Sequence, residues 1–134
     1  MRNVFRVLSD QQTERLFKTI INSKDAESQI LILESGLSKR QYYDRIKNLL
    51  KAGLIWRQKG RYELSSFGKV IFSLHKIAEK ASKIYWKLDA IDNIKMSEKS
   101  HLAEIDYVKI VDVLLNDFEI KEIFLHGGGK YNQN

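Results

Sequence analysis

The chain has 134 residues, 43% of them apolar and 30% charged, and a formal net charge of +6. This is ordinary globular chemistry with enough length for one hydrophobic core, so two full domains are not expected. The absence of cysteine excludes disulfides, thiolate metal sites and thiol redox sensing; no apolar run approaches the roughly 18 residues that span a bilayer and MRNVFRVLSD lacks a signal-peptide core, so the expected location is the cytoplasm.

Proline is also absent, which suits long helices. Ser9, with Gln12 three residues later, reads as a capping box. Leu16, Phe17, Ile20 and Ile21 give the apolar face of a first helix ending near Asn22. Asp25 offers a second cap, and Ala26 to Ser35 holds Ile30, Leu31, Ile32 and Leu33, a deeply apolar run that fits a buried helix or a strand by periodicity.

After Gly36 and Leu37, Ser38 reads as the N-cap of a helix over about 39–52. Tyr42, Ile46, Leu49 and Leu50 fall on one stripe of period 3.6, predicted to be buried. The other face offers Lys39, Arg40, Gln41, Tyr43, Asp44, Lys47 and Asn48, side chains able to reach phosphates and base edges. Gly53 ends that helix, since the left-handed conformation costs glycine little. Leu54, Ile55 and Trp56, then Tyr62, Glu63 and Leu64, predict a hairpin with Arg57, Lys59 and Arg61 near its tip. From Gly36 to Arg61 there are eight basic side chains against one acidic, Asp44, a local balance of +7. That exceeds the charge of the whole chain.

Beyond the hairpin, Ser65 or Ser66 caps a helix predicted to run to about Ile94, with Val70, Leu74, Ile77, Ala81, Ile84, Leu88 and Ile91 alternating spacings of four and three as a heptad seam. A polar link, Lys95 to Ser100, precedes a helix over about Leu102 to Asn116, and Phe118, Ile120, Ile123, Phe124 and Leu125 form a further short apolar helix. This is more apolar surface than a small helical pair needs. Asp89 to Glu122 carries nine acidic and four basic residues, so like-charge repulsion would turn it away from a polyanion. The tail 127–134, with its glycine run, is expected to be disordered.

Residues 9 to 74 resemble a winged helix-turn-helix domain of archaeal and bacterial transcriptional regulators. The likeness rests on Gly36-Leu37-Ser38, then Tyr42, Ile46 and Leu49, then Ala52-Gly53-Leu54-Ile55, and on Tyr62-Glu63-Leu64-Ser65 followed by Phe67-Gly68-Lys69. It covers about half of the chain. The resemblance implies a mainly α fold with a small β-hairpin, a DNA-binding domain over 1–74 and a helical dimerisation region over 75–126. It also decides for a helix at Ala26–Ser35, because a recognition helix needs a supporting helix across the turn.

On this reading the chain is a sequence-specific regulator without catalysis, binding double-stranded DNA as a homodimer. Lys39, Arg40, Gln41, Tyr43 and Lys47 meet the major groove, with Arg40 and Gln41 as base readers; Lys47 and Asn48 are nearer the backbone, and Ser38 offers its amide or hydroxyl to a phosphate. Lys59 and Arg61 of the wing meet flanking phosphates or the minor groove, and Arg57, on a strand, is the weaker candidate. Tyr43 either meets DNA or packs on Trp56 or the turn. The expected dimer interface is Leu74, Ile77, Ala81, Ile84, Tyr85, Trp86, Leu88, Ile91, Val111 and Leu115, over a helical hairpin folded within each chain. Tyr85, Trp86 and Tyr107 alternatively line an effector pocket, for which no specific pattern exists.

An enzyme is not expected. His75, His101 and His126 lie far apart in sequence without ligand spacing, and His126-Gly127-Gly128-Gly129-Lys130 lacks the spacing and hydroxyl of a phosphate loop. No metal or cofactor is called for. The same fold also serves as a protein-interaction module, which is the alternative reading.

Overall fold

A computed structural model describes residues 3–23, 27–98 and 104–127. It is mainly helical, with one two-stranded antiparallel sheet. The elements are α1 (Val4–Ser9), α2 (Gln11–Asn22), α3 (Ser28–Ser35), α4 (Lys39–Ala52), β1 (Ile55–Gln58), β2 (Arg61–Leu64), α5 (Ser66–Lys83), α6 (Tyr85–Glu98), α7 (Glu104–Leu114) and α8 (Phe118–His126). No helix among the described residues is long and apolar enough to cross a membrane. The chain divides into two compact units, Met1–Ser73 and Leu74–Asn134.

The first unit begins with two helices where one was expected. Asn3 caps α1 by accepting from the amide of Arg6 at 3.3 Å, and Asp10 caps α2 by accepting from the amide and the hydroxyl of Thr13 at 3.0 and 2.5 Å. Ser9 is therefore not a cap. Its hydroxyl donates back to the carbonyl of Arg6, and the carboxylate next door makes the two bonds instead.

Leu16, Phe17 and Ile20 of α2 pack with Leu31, Tyr42, Ile46, Leu49, Leu54, Ile55 and Tyr62 in a continuous core. Each fully buried aliphatic side chain in such a core contributes roughly 1.5 to 3 kcal/mol. Leu33, expected inside, is 81% exposed, and Leu50 is 38% exposed. Helical geometry is the reason. Consecutive residues diverge by about 100°, so the eight-residue α3 turns Leu31 and Ser35 inward and Leu33 outward, while Ala52, three residues after Leu49, takes the inner place expected for Leu50. The expected cap at Asp25 lies outside the described residues. Phe72 of α5 meets the ring of Phe17 edge-on at 6.3 Å, and the amide of Gly68 donates to the hydroxyl of Ser65, which caps α5.

In the second unit the expected uninterrupted helix is two helices. The amide of Ile84 is shared between the carbonyls of Lys80 and Ala81 at 3.2 Å, and its own carbonyl accepts from Lys87 and Leu88. This bifurcated pattern is typical of helix termini and needs neither glycine nor proline. Ile91, Val111 and Leu115 are fully buried, with Leu88, Tyr107, Leu114, Phe124 and Leu125 around them. These three belong to the protomer's own core, and no surface remains on them for a second copy. The expected link over 95–100 is corrected in part, because Lys95–Glu98 continue α6; residues 99–103, and with them His101 and the expected helix start at Leu102, lie outside the described residues. Asp117 caps α8 and pairs with Lys80 at 3.2 Å. Gly127 closes α8, and the rest of the expected tail lies outside the described residues.

Candidate nucleic-acid interface

The turn between α3 and α4 is built by three local bonds. Gly36, at φ 70°, ends α3 in the left-handed conformation. Ser38 then starts α4 with a reciprocal cap, in which the amide of Gln41 donates to the Ser38 hydroxyl at 3.2 Å and the amide of Ser38 donates to Gln41 Oε1 at 3.0 Å. The phenol of Tyr42 donates to the Ser28 hydroxyl at 3.0 Å and ties α4 to the first turn of α3. Burial pushes the Tyr42 phenol above its ordinary pKa, against the smaller effect of the Ser28 bond. A helix pinned through its buried face and both ends presents its outer side chains on a rigid support.

That outer face is basic. Arg40, Lys47 and Lys51 recur at spacings of seven and four and are exposed, with Asp44 among them. Lys39 and Asn48 are exposed on either flank. Arg45, between the faces, is held by Asp10 through a 3.3 Å ion pair that joins α2 to α4. The Thr13 hydroxyl, and with it the Thr13 amide and Arg45, holds the Asp10 carboxyl below the ordinary carboxylate value despite partial desolvation.

One expected base reader, Gln41, and one expected phosphate contact, Ser38, are engaged within the helix cap. Gln41 spends its carbonyl oxygen on the cap, so it cannot make the bidentate amide pair that reads adenine without breaking a helix-starting bond. Ser38 likewise uses its hydroxyl within the helix. Both positions take part in the cap that starts α4. The signal was present in the sequence as Ser38-Lys39-Arg40-Gln41, the same spacing assigned to Ser9 and Gln12. Tyr43 is 47% exposed and lies edge-on to Tyr42 at 5.1 Å.

The hairpin pairs Ile55 with Leu64, Trp56 with Glu63, Arg57 with Tyr62 and Gln58 with Arg61. Alternation therefore puts Ile55, Arg57, Tyr62 and Leu64 on one face and Trp56, Gln58, Arg61 and Glu63 on the other. The Arg57 guanidinium lies 5.9 Å above the Tyr62 ring, near Tyr42. Arg61 points the other way, bridging to Glu27 by backbone pairing and by an ion pair at 3.8 Å. Arg57 thus lies near Tyr42 of α4, and Arg61 is engaged with Glu27. The tip is the two-residue turn Lys59-Gly60, at φ 52° and 77°. A turn with both central residues at positive φ favours asparagine or glycine first. A lysine there carries backbone strain, of the kind that collects at binding sites.

Of the expected dimer residues, Leu74, Tyr85 and Trp86 are 49%, 67% and 64% exposed. Ile77, Ala81, Ile84 and Leu88 are half-buried. Lys87 lies 5.6 Å over the Trp86 ring. Compared with family models, with curated proteins and with solved structures, the chain finds no match.

Proposed function

We propose that this chain is a cytoplasmic winged helix-turn-helix regulator that binds double-stranded DNA sequence-specifically as a homodimer, with α4 in the major groove and the β1–β2 wing on the adjacent backbone. The observation that carries the reading is the outward stripe of α4, Arg40, Lys47 and Lys51, beside a hairpin that offers Arg57 and a strained Lys59. An α-helix with its side chains is about 10–12 Å across and fits a groove about 12 Å wide. Arg40, near the N-terminal end of α4 and free of the cap, is the strongest base reader, suited to the paired acceptors of guanine. Lys47, Lys51, Arg57 and Lys59 neutralise phosphates.

Exposed Leu74, Tyr85 and Trp86 support self-association, because apolar side chains of this size are seldom left in water together. A twofold dimer would present two copies of α4 to half-sites about one helical turn apart. Selection from a random duplex library with the purified chain tests the reading. It should enrich a palindrome with half-sites spaced by about 10 base pairs. A second reading, docking on a protein partner, has one observation behind it: Tyr43, Leu50 and Trp56 of the same unit are each more than a third exposed. No enrichment from the library would favour it.

A further inference from the structure

Between α4, α1 and the start of α2 lies an open groove of about 880 Å³ that no hairpin residue lines. Its charged lining is Arg6, Asp10, Asp44, Arg45, Lys47 and Lys51. Asp10 and Arg45 satisfy each other at 3.3 Å. Beside that pair the lining holds three further cations, Arg6, Lys47 and Lys51, and the carboxylate of Asp44. Two of the three, Lys47 and Lys51, belong to the same stripe of α4 that faces outward, and Arg6 comes from α1, the helix that the sequence did not reveal.

We propose that this groove seats a phosphate of the nucleic-acid backbone, with Arg6 as its principal cation. The inference rests on the duplex-binding reading and extends it. A helix lying in the major groove has a phosphate backbone on each rim, and the two rims need cations on opposite sides of the helix. Tyr43 and Arg45 leave α4 two residues apart, hence roughly 200° around it. The groove lies on the side of Arg45, while Arg57 of the hairpin lies near Tyr42 and over Tyr62. Arg6 is exposed, and its side chain is not part of the core, so removing it leaves α1 anchored by Val4 and Leu8. The shared chemistry is a phosphate dianion or diester, which a small phosphorylated ligand would also supply.

The test is a titration of the full chain, wild type, Arg6→Ala and Arg6→Lys, on a random duplex at several salt concentrations, with a parallel titration of inorganic phosphate followed by amide shifts of Thr13 and Asn48. The expected result is a salt slope smaller by about 0.9 for Arg6→Ala, one phosphate's worth, equal losses on selected and random duplex, and recovery of the slope by Arg6→Lys. An unchanged slope and affinity for Arg6→Ala, with wild type still binding, overturns the groove and leaves the duplex reading standing. Shifts with inorganic phosphate alongside an unchanged slope assign the groove to a small anion and also overturn the proposal. No binding by wild type removes both.

Discussion

Among the described residues, the first unit buries fifteen apolar side chains and leaves seven large ones exposed, whereas the second buries four and exposes nine. The first has the larger core by this measure, continuous from Val4 to Ile71. The second closes only a small core around Ile91, Val111 and Leu115. Its surplus, from Leu74 and Trp86 to Val113 and Phe118, is surface that an additional partner would cover. Charge follows the same division, with a local +7 over Gly36–Arg61 and nine acids against four bases over Asp89–Glu122. On the proposed reading, one unit meets a polyanion and the other meets apolar surface.

Breaking the first unit should need only one methyl group. A Cβ on Gly68 would stand 2.0 Å from the carbonyl oxygen of Leu54 and 2.9 Å from its carbon, and backbone on both sides cannot yield. Gly68→Ala should destabilise the unit by about 3 kcal/mol or more in urea unfolding, beyond the usual cost of overpacking. Breaking the second unit's association should take a change at its exposed aromatic centre. Trp86→Lys should weaken the dimer by about 2 kcal/mol or more, the scale of interface hot spots, read by sedimentation across a concentration series. A wild-type monomer at high micromolar concentration would refute the assembly.

Within the first unit, two neighbours on α4 should fail in different ways. Arg40→Ala should lose about 1 to 3 kcal/mol of discrimination between selected and random duplex. Gln41→Ala should leave discrimination intact and lower stability by about 1 kcal/mol, because it removes half of a capping box. Equal losses on all sequences for Arg40→Ala would make that residue a phosphate contact. The smallest expected effect is on pH dependence. Asp10 has a carboxyl held below 3.8, so its ionised form stabilises the fold at pH above that value, and the contribution disappears as pH falls through the lower native value. Asp10→Asn keeps an N-cap oxygen but not the charge, so it should flatten the acid limb of the stability curve by lowering stability near pH 7 and leaving it little changed at the acid end.

The α3–turn–α4 segment and the hairpin were legible in the sequence because their punctuation is local: Gly36, Ser38, Gly53 and Gly60 act through their own backbones. Burial was less so. Four adjacent apolar residues at Ile30–Leu33 cannot share one helix face, and the sequence alone does not say which is left out. The facing of Arg57 and Arg61 depended on strand register, which fixes the face of every side chain and is set by a turn only two residues long. α1 and its groove were hidden because a six-residue helix has too short an apolar pattern to register as a period.

The central claim is that α4 and the hairpin meet a duplex through its phosphates and base edges. The most direct measurement is the affinity of the wild-type chain for a random duplex as salt is raised. The account predicts that log K falls linearly with log salt, at about 0.9 per neutralised phosphate, with a slope of several units from the cations of α4 and the hairpin. Absence of binding at low salt, or binding indifferent to salt, would contradict it.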